Sequence, residues 1–242
     1  FTKDDSIEAE VFFRNKVDFL LIQTSSCSAG EQLYPLTNIT NKIGIWAIPD
    51  KEVEGDVKLH SLVSTSHFLG IIKKNLKEKK IKTKWFYNFA DTDEFKNKFI
   101  ITIRSLFGVK KIFNSKIGLI GGISPGFDNM KVDKHKLKQN IGVTIEEETI
   151  SNLIKIAEKF DNELINKEIN KIKSVATSIL VSDEKSFDRV TRIYFALKQI
   201  REQNNWDSLA VQCWSQFQEL YNIAPCMAYS WMGSEDGIAV SC

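Results

Sequence analysis

Short apolar runs rich in β-branched and aromatic residues alternate with stretches of helical spacing, and this alternation constrains the fold more than any other feature. Val17–Gln23 is one such run, and Ile43–Ile48 is another that ends at Pro49. Continuous apolar runs of this length are typical of strands buried on both faces. Strands that alternate with helices form parallel sheets covered by helices. The sequence therefore predicts an α/β protein with doubly wound, mostly parallel sheets.

The alternation runs through all 242 residues, which is long enough for two consecutive domains. The first predicted domain, residues 1–115, ends in a helix over Asp91–Asn114 that we expect to bridge the two domains. The second, residues 116–242, opens with a strand over Ile117–Gly122. This strand runs directly into a glycine turn.

Two long helices dominate the second predicted domain, Ile150–Thr177 and Asp183–Gln203. A strand over Ser208–Cys213 follows them, and a final apolar run, Gly237–Cys242, is predicted to be the last strand. A further helix is expected between these two strands.

Charge and composition exclude several functional classes. Lys+Arg is 33 and Asp+Glu is 31, so the net charge of +2 argues against a nucleic-acid surface. The lysines of Lys73–Lys84 alternate with apolar residues, which is typical of a solvated helix face rather than a polyanion site. The four cysteines have no metal-type spacing and are expected to be reduced thiols of a cytoplasmic protein. No apolar run is long enough to span a membrane, so no membrane partner is expected.

A glycine-rich loop follows the predicted strand at Ile117–Gly122, and Ser124, Pro125 and Gly126 are its candidate substrate-binding residues. Glycines allow close approach of a ligand to the backbone, and the carboxyl ends of strands are where open α/β sheets bind ligands. The pattern is not the dinucleotide fingerprint GxGxxG, since no helix follows at once. The alternative is a tight loop that binds nothing.

A second candidate lies at the end of the strand over Ser208–Cys213, where Cys213 and Trp214 come together. They are candidate substrate-binding residues, although an indole such as Trp214 or Trp231 is more often part of a core. Further on, Glu235 and Asp236 are adjacent and are expected to point in different directions, which argues against a shared acid–base site.

Ser66 and His67 form the third candidate, because small polar residues of Ser61–Ser66 precede a helix predicted over His67–Lys79. Exposed N–H groups at such a helix start can bind a hydroxylated ligand. A lone histidine is more often structural, so both interpretations stay open here.

Taken in chain order, Ile117–Met130, Trp206–Trp214 and Gly233–Cys242 resemble the L-fucose isomerase and L-arabinose isomerase family of sugar isomerases. The resemblance covers most of the chain and is firmest from about residue 116 onward. In that family a Gly-Ile-Ala strand with a cysteine precedes a glutamate that binds Mn²⁺. Here Cys242 is the last residue, so the resemblance implies that the metal ligands lie beyond it and that the sequence belongs to a longer chain.

The resemblance implies a metal-dependent aldose–ketose isomerase in which Mn²⁺, or another divalent cation, polarises a sugar carbonyl and stabilises an ene-diolate. It implies no catalytic residue and no metal ligand within this sequence, so the isolated chain is expected to be inactive. It also implies a homo-oligomer, a trimer or hexamer. Two alternatives remain: a sugar-binding α/β protein of the periplasmic-receptor type, and an inactive homologue that acts in assembly.

Overall fold

A computed structural model describes residues 2–50, 60–180 and 183–242 of the chain. The chain divides into two compact units, Phe1–Val109 and Lys110–Cys242, and each is described by itself. In the described residues, no helix combines the length and the apolar character needed to cross a membrane.

The first unit is a parallel three-stranded sheet with helices. Its elements in chain order are α1 (Lys3–Phe13), β1 (Leu20–Thr24), a 3₁₀ turn (Gly30–Gln32), α2 (Leu33–Leu36), β2 (Lys42–Ala47), α3 (Ser61–Asn75), a 3₁₀ turn (Lys77–Lys79), β3 (Lys82–Tyr87) and the start of α4 (Asp93–Phe113). The strand order is β1-β2-β3, and both pairs are parallel. Ile43 and Ile45 of β2 pack against Phe68 and Ile72 of α3 in the core.

The predicted start of the third helix is wrong. The helix α3 begins at Ser61, six residues before His67, and the run of small polar residues forms its first turns. Ser61, Ser64 and Thr65 are buried because they face the carboxyl end of β1. There the Thr24 hydroxyl contacts Thr65 Oγ1 at 2.8 Å, and Ser64 Oγ donates to the Ser26 carbonyl at 2.8 Å. Small polar side chains therefore serve helix–sheet packing here rather than an open loop.

The second unit contains a parallel four-stranded sheet. Its elements are the end of α4, β4 (Lys116–Ile120), a 3₁₀ turn (Asp128–Met130), α5 (Lys134–Ile141), β5 (Thr144–Glu148), α6 (Ile150–Ala157), α7 (Asn162–Val175), α8 (Glu184–Asn204), β6 (Ser208–Val211), α9 (Gln216–Tyr221), α10 (Cys226–Asp236) and β7 (Val240–Ser241). The helix α4 runs across the division between the units. The predicted α/β class with parallel sheets is confirmed.

The long helix predicted over Ile150–Thr177 is two helices. Asp161 caps the second one by accepting a hydrogen bond from Glu163 N at 2.6 Å. Arg192, buried on α8, donates to the Phe160 carbonyl at 2.7 Å, so this carbonyl is satisfied outside the helix. A capping aspartate and a buried guanidinium together explain the break.

The core of the second unit covers one face of the sheet. Ile120 and Val211 contribute from neighbouring strands, and Leu197 and Met232 contribute from α8 and α10. The Trp206 indole, 2% exposed, lies against the backbone of β4 and donates to Glu146 Oε2 at 2.7 Å. The strand order is β5-β4-β6-β7, so the chain leaves β4 in one direction and β6 in the other.

Candidate functional site

The strand order creates a switch point between β4 and β6. The chain passes from β4 outward to β5, returns to β6 on the other side of β4, and continues outward to β7. The loops that follow β4 and β6 therefore leave the sheet in opposite directions and open a crevice at its carboxyl edge. Crevices at this point are where open α/β sheets bind their ligands.

A cavity of about 150 Å³ lies at this edge. Ser124 and Met130 line it from the loop after β4, Gln212 lines it from the end of β6, and Ser241 and Cys242 line it from the end of β7. Three of the four strands of this sheet thus contribute to one cavity.

The two loops are joined by hydrogen bonds. Ser124 Oγ donates to the Trp214 carbonyl at 2.9 Å, and Gln212 Nε2 donates to the same carbonyl at 2.9 Å. Gln216 Nε2 donates to Gln212 Oε1 at 2.7 Å. The Gln212 amide, 5% exposed, is therefore held in one orientation at the wall of the cavity.

The Gln212 amide keeps hydrogen-bonding capacity for a ligand. An amide group has two N–H hydrogens and two oxygen lone pairs. Within the described residues, one N–H donates to the Trp214 carbonyl, and one oxygen lone pair accepts from Gln216 Nε2. A polar group fixed in this way is what orients a hydroxylated ligand in a largely apolar pocket.

Glycines shape the start of the loop after β4. Gly121 has φ +82°, and a Cβ there would lie 2.6 Å from Ile150 Cδ1, so a larger residue would be strained and crowded. Gly126 has φ +86° but open space around it. Pro125 and Gly126 are both exposed. Gly121 is therefore required by the packing of Ile150 next to the sheet, and the close approach of a ligand to this loop stays a prediction.

Trp214 is not a core residue. Its side chain is 63% exposed, and the core interpretation is wrong for this indole. Trp231 packs at the edge of the core and donates to Glu168 Oε1 at 2.8 Å, so the core interpretation fits it. The contacts of Trp214 with Ser124 and Gln212 are made by its carbonyl, and its exposed indole is a flat apolar surface of the kind that can pack against a ligand.

Cys213 is half-buried, and burial together with a hydrogen bond to the Cys242 thiol raises the pKa of Cys213. A raised pKa keeps this thiol protonated and makes it a weak nucleophile.

Ser66 and His67 lie in the second turn of α3 and are exposed. The helix start that was expected to supply free N–H groups is at Ser61 instead. They belong to the first unit, and the crevice belongs to the second. Their role in substrate binding stays a prediction, as do those of Ser124, Pro125, Gly126, Cys213 and Trp214.

Glu235 and Asp236 make separate contacts. Glu235 Oε2 accepts from Lys171 Nζ at 2.6 Å, while Asp236 accepts from Tyr194 and Lys198 at 2.9 and 2.6 Å. Each carboxylate ties α10 to a different helix, so the pair does not form one acid–base site.

The described residues contain no group of three or more His, Cys, Asp or Glu side chains able to hold a metal ion. At the crevice, the side-chain oxygens are those of Ser124, Gln212 and Ser241, and none is a carboxylate; those of Ser124 and Gln212 are engaged with protein groups. Mn²⁺ prefers several carboxylate, carbonyl or water oxygens. This set does not fit an Mn²⁺ site.

Gln212 is the residue that the sequence reasoning missed. Leu209 and Val211 alternate into the core, which places Ala210 and Gln212 on the other face of β6. A glutamine directly after such an apolar strand is a signal that could have singled it out.

The chain is similar to three curated proteins named sulfoquinovose isomerase. Those from Priestia aryabhattai and Priestia megaterium are each 22% identical over 231 residues, which is 94% of this chain and 50% of theirs. The protein from Alkalicoccus urumqiensis is 24% identical over 201 residues, 81% of this chain and 43% of its own. The chain thus spans about half the length of the curated relatives it matches. No protein-family model matches it.

The printed name of all three relatives is that of a sugar isomerase. Membership of the L-fucose and L-arabinose isomerase family in particular stays a prediction.

Proposed function

We propose that this chain is part of an aldose–ketose sugar isomerase and that the crevice between β4 and β6 binds the sugar. The observation that carries the proposal is the fixed Gln212 amide at the switch point, which donates to the carbonyl of Trp214, a residue whose indole is exposed. A sugar presents hydroxyls in its plane and C–H groups on its faces. An oriented amide and an open aromatic surface match these two properties.

The similarity to sulfoquinovose isomerases makes sulfoquinovose the first sugar to test, with L-fucose and L-arabinose beside it. Isomerisation moves a proton between two neighbouring carbons through an ene-diolate and needs an acid–base group. The crevice residues of this chain can hold and orient the sugar. We infer that the groups that move the proton, and any Mn²⁺ or other divalent cation, come from the half of the relatives' length that this chain does not match.

Sugar binding by the 242-residue chain tests the first half of the proposal. Titration with each sugar is followed by calorimetry and by tryptophan fluorescence. Gln212→Leu removes the oriented amide and should weaken binding about tenfold, which corresponds to about 1.4 kcal/mol. Gln203→Leu, an exposed position on α8, is the matched control and should leave binding unchanged. Equal binding by both variants would remove the crevice from the proposal.

Isomerase activity tests the second half. A longer polypeptide that contains this sequence should convert an aldose to its ketose, and a chelator should abolish the conversion if a divalent cation takes part. The 242-residue chain should bind sugar without converting it. Binding without conversion by the longer polypeptide would favour a non-catalytic sugar-binding protein or an inactive homologue in assembly. Light scattering of the same samples tests the proposed trimer or hexamer.

A further inference from the structure

Three lysines lie on the same face of the sheet in the first unit. Ile43 and Ile45 of β2 pack towards α3, so alternation along the strand turns Lys42 to the opposite face. Lys42 pairs with Lys82 of β3, and Lys84 follows two residues later, so all three side chains share that face. Lys82 and Lys84 therefore do not belong to the solvated helix face that the sequence predicts.

The helix α4 covers this face of the sheet unevenly. Near its start, Phe95 is 7% exposed, and its ring lies 5.9 Å from the ring of Phe86 on β3. Further along the helix, Leu106 is half-buried and Val109 is 44% exposed. A pocket of about 300 Å³ lies between this part of α4 and the amino ends of β2 and β3.

The pocket combines apolar walls with positive charge. Phe19 and Leu106 supply apolar surface to it. Lys42, Lys82 and Lys84 also line it and supply three ammonium groups. No Asp or Glu is among the described residues that line the pocket. An apolar cavity with a few charged groups at its wall is typical of a site for a small molecule.

The three ammonium groups have no counter-charge in the described part of the chain, where none of them makes an ion pair or a side-chain hydrogen bond. Lys42 and Lys84 are half-buried, so less solvent is available to screen their charges. Like charges placed side by side on one face of a sheet repel one another. An anion in the pocket would offset this repulsion.

The two hydroxyl groups that α4 contributes to the pocket are already used as donors. Thr102 Oγ1 donates to the Lys98 carbonyl at 2.7 Å. Ser105 Oγ donates to the Ile101 carbonyl at 2.7 Å. The lysines are therefore the side chains left to donate to a ligand here, and an ammonium group is a compact charge that suits an oxygen anion.

We propose that this pocket binds an amphiphilic anion. The apolar body of the ligand lies between α4 and the sheet, and the lysines hold its head group, a carboxylate or a sulfonate. Lys42 and Lys82 are the first residues of β2 and β3, so the pocket is at the amino edge of the sheet, whereas open α/β sheets bind substrates at the carboxyl edge. The pocket consists of residues of the first unit, and the sugar crevice belongs to the second. This inference therefore does not depend on isomerase activity.

Titration of the 242-residue chain with sodium octanoate tests the proposal. Calorimetry should show saturable binding of octanoate and of octanesulfonate. Octanol has an apolar chain of the same length without the charge, and it should bind at least about tenfold more weakly. Equal binding of octanol would overturn the proposal, because the lysine stems would then merely cover an apolar pocket. A titration without saturable octanoate binding would overturn it as well.

Variants test the assignment to the lysines. Lys84→Met and Lys42→Met keep an apolar stem and should each weaken octanoate binding about tenfold, whereas Lys84→Arg, which keeps the charge, should retain it. Removing a charge also removes repulsion, so the methionine variants should unfold at the wild-type temperature or above. Lys74→Met, at an exposed position of α3 outside the pocket, is the matched control and should bind octanoate as the wild type does. An equal loss in the Lys74 and Lys84 variants would indicate diffuse attraction by surface charge and would overturn the site.

Sedimentation with phosphatidylglycerol vesicles distinguishes a free amphiphile from a lipid head group on a membrane. The chain should stay in the supernatant, because the pocket lies beneath a helix and takes up a single molecule. Sedimentation with the vesicles that Lys74→Met reduces as much as Lys84→Met would overturn the pocket in favour of a basic surface that lies on a bilayer.

Discussion

The Ser124 hydroxyl donates to the carbonyl oxygen of Trp214 at 2.9 Å, and this hydrogen bond joins the loops that follow β4 and β6. Both residues were candidates from sequence, and they lie 90 positions apart. The same carbonyl also accepts a hydrogen bond from Gln212. One backbone oxygen therefore accepts hydrogen bonds from residues on both sides of the crevice.

Replacing Ser124 with alanine should loosen this connection. The free energy of unfolding should fall by about 0.5–1.5 kcal/mol, the usual net value of one hydrogen bond. Urea denaturation measures it. Ser230→Ala, at an exposed position on α10, is the control and should change stability by less than half as much. An equal loss in both variants would show that the bond contributes nothing.

Replacing Gly118 with alanine should be among the most damaging small changes in the second unit. A Cβ at Gly118 would lie 2.0 Å from Trp206 Cε3. The indole is held in place by burial and by its bond to Glu146, so it has little room to move. Overpacking of this kind costs about 1–3 kcal/mol or more, and a lowered Tm measures it.

Gly70→Ala is the matched control for that change. Gly70 is in α3, and a Cβ there meets nothing within 4 Å. Since glycine disfavours a helix interior, this variant should gain about 0.5–1 kcal/mol. Opposite signs for the two variants are expected, and a tolerated Gly118→Ala would contradict the packing described here.

Replacing Thr24 with valine should destabilise the first unit. The buried Thr24 hydroxyl contacts Thr65 Oγ1 at 2.8 Å and the Trp46 and Ser61 carbonyls at 3.1 Å. Valine keeps the shape of the side chain but removes a hydrogen-bond partner of the buried Thr65 hydroxyl. The free energy of unfolding should therefore fall by about 1–3 kcal/mol. Thr83→Val, on exposed β3 surface, should be neutral or slightly stabilising. Thermal unfolding followed by circular dichroism compares them.

Stability should fall at high pH through Tyr194. Its hydroxyl donates to Asp236 at 2.9 Å, and burial, then this bond, raises the pKa of Tyr194 to about 12. An unfolded tyrosine ionises near pH 10, so the folded state holds the proton more tightly between about pH 10 and 12. The stability due to this difference is fully present below pH 10 and is lost as pH rises through 12.

The Tyr194 contribution should be at most about 2–3 kcal/mol. The free energy of unfolding at pH 9 and 11.5, compared between the wild type and Tyr194→Phe, measures it. The pH-dependent loss should be smaller in the variant. The same slope in both proteins would rule out Tyr194 as its source.

Much of the fold could be predicted from the sequence, because continuous apolar runs indicate buried strands. Runs such as Ile43–Ile48 must lie between layers, and strands separated by helices pair in parallel. The strands β2, β4 and β6 appear within a few residues of their predicted positions. The order of the strands could not be predicted in the same way. No local feature of the β4 sequence indicates that β6 pairs with it.

The errors have a common physical origin. Ser61–Ser66 has the composition of a loop, but its polar side chains find buried partners at Thr24 and Ser26, and tertiary contacts override local preference. The break between α6 and α7 has a local cause, the cap at Asp161, and a distant one, Arg192, which only the three-dimensional structure shows. Gln212 and Ser124 lie within two of the sequence motifs, but only the three-dimensional arrangement shows that both donate to the Trp214 carbonyl.

The adjacency of β4 and β6 has a consequence for how the protein forms. Ile117 pairs with Ser208, so the central contact of the second sheet closes a very long loop of chain. Contacts of such high sequence separation form late and slow folding, because chain entropy is lost before they are gained. During synthesis, β5 and the helices α5 to α8 emerge from the ribosome before β6, the second partner of β4, does. The crevice between β4 and β6 is therefore absent from any nascent chain that ends before β6.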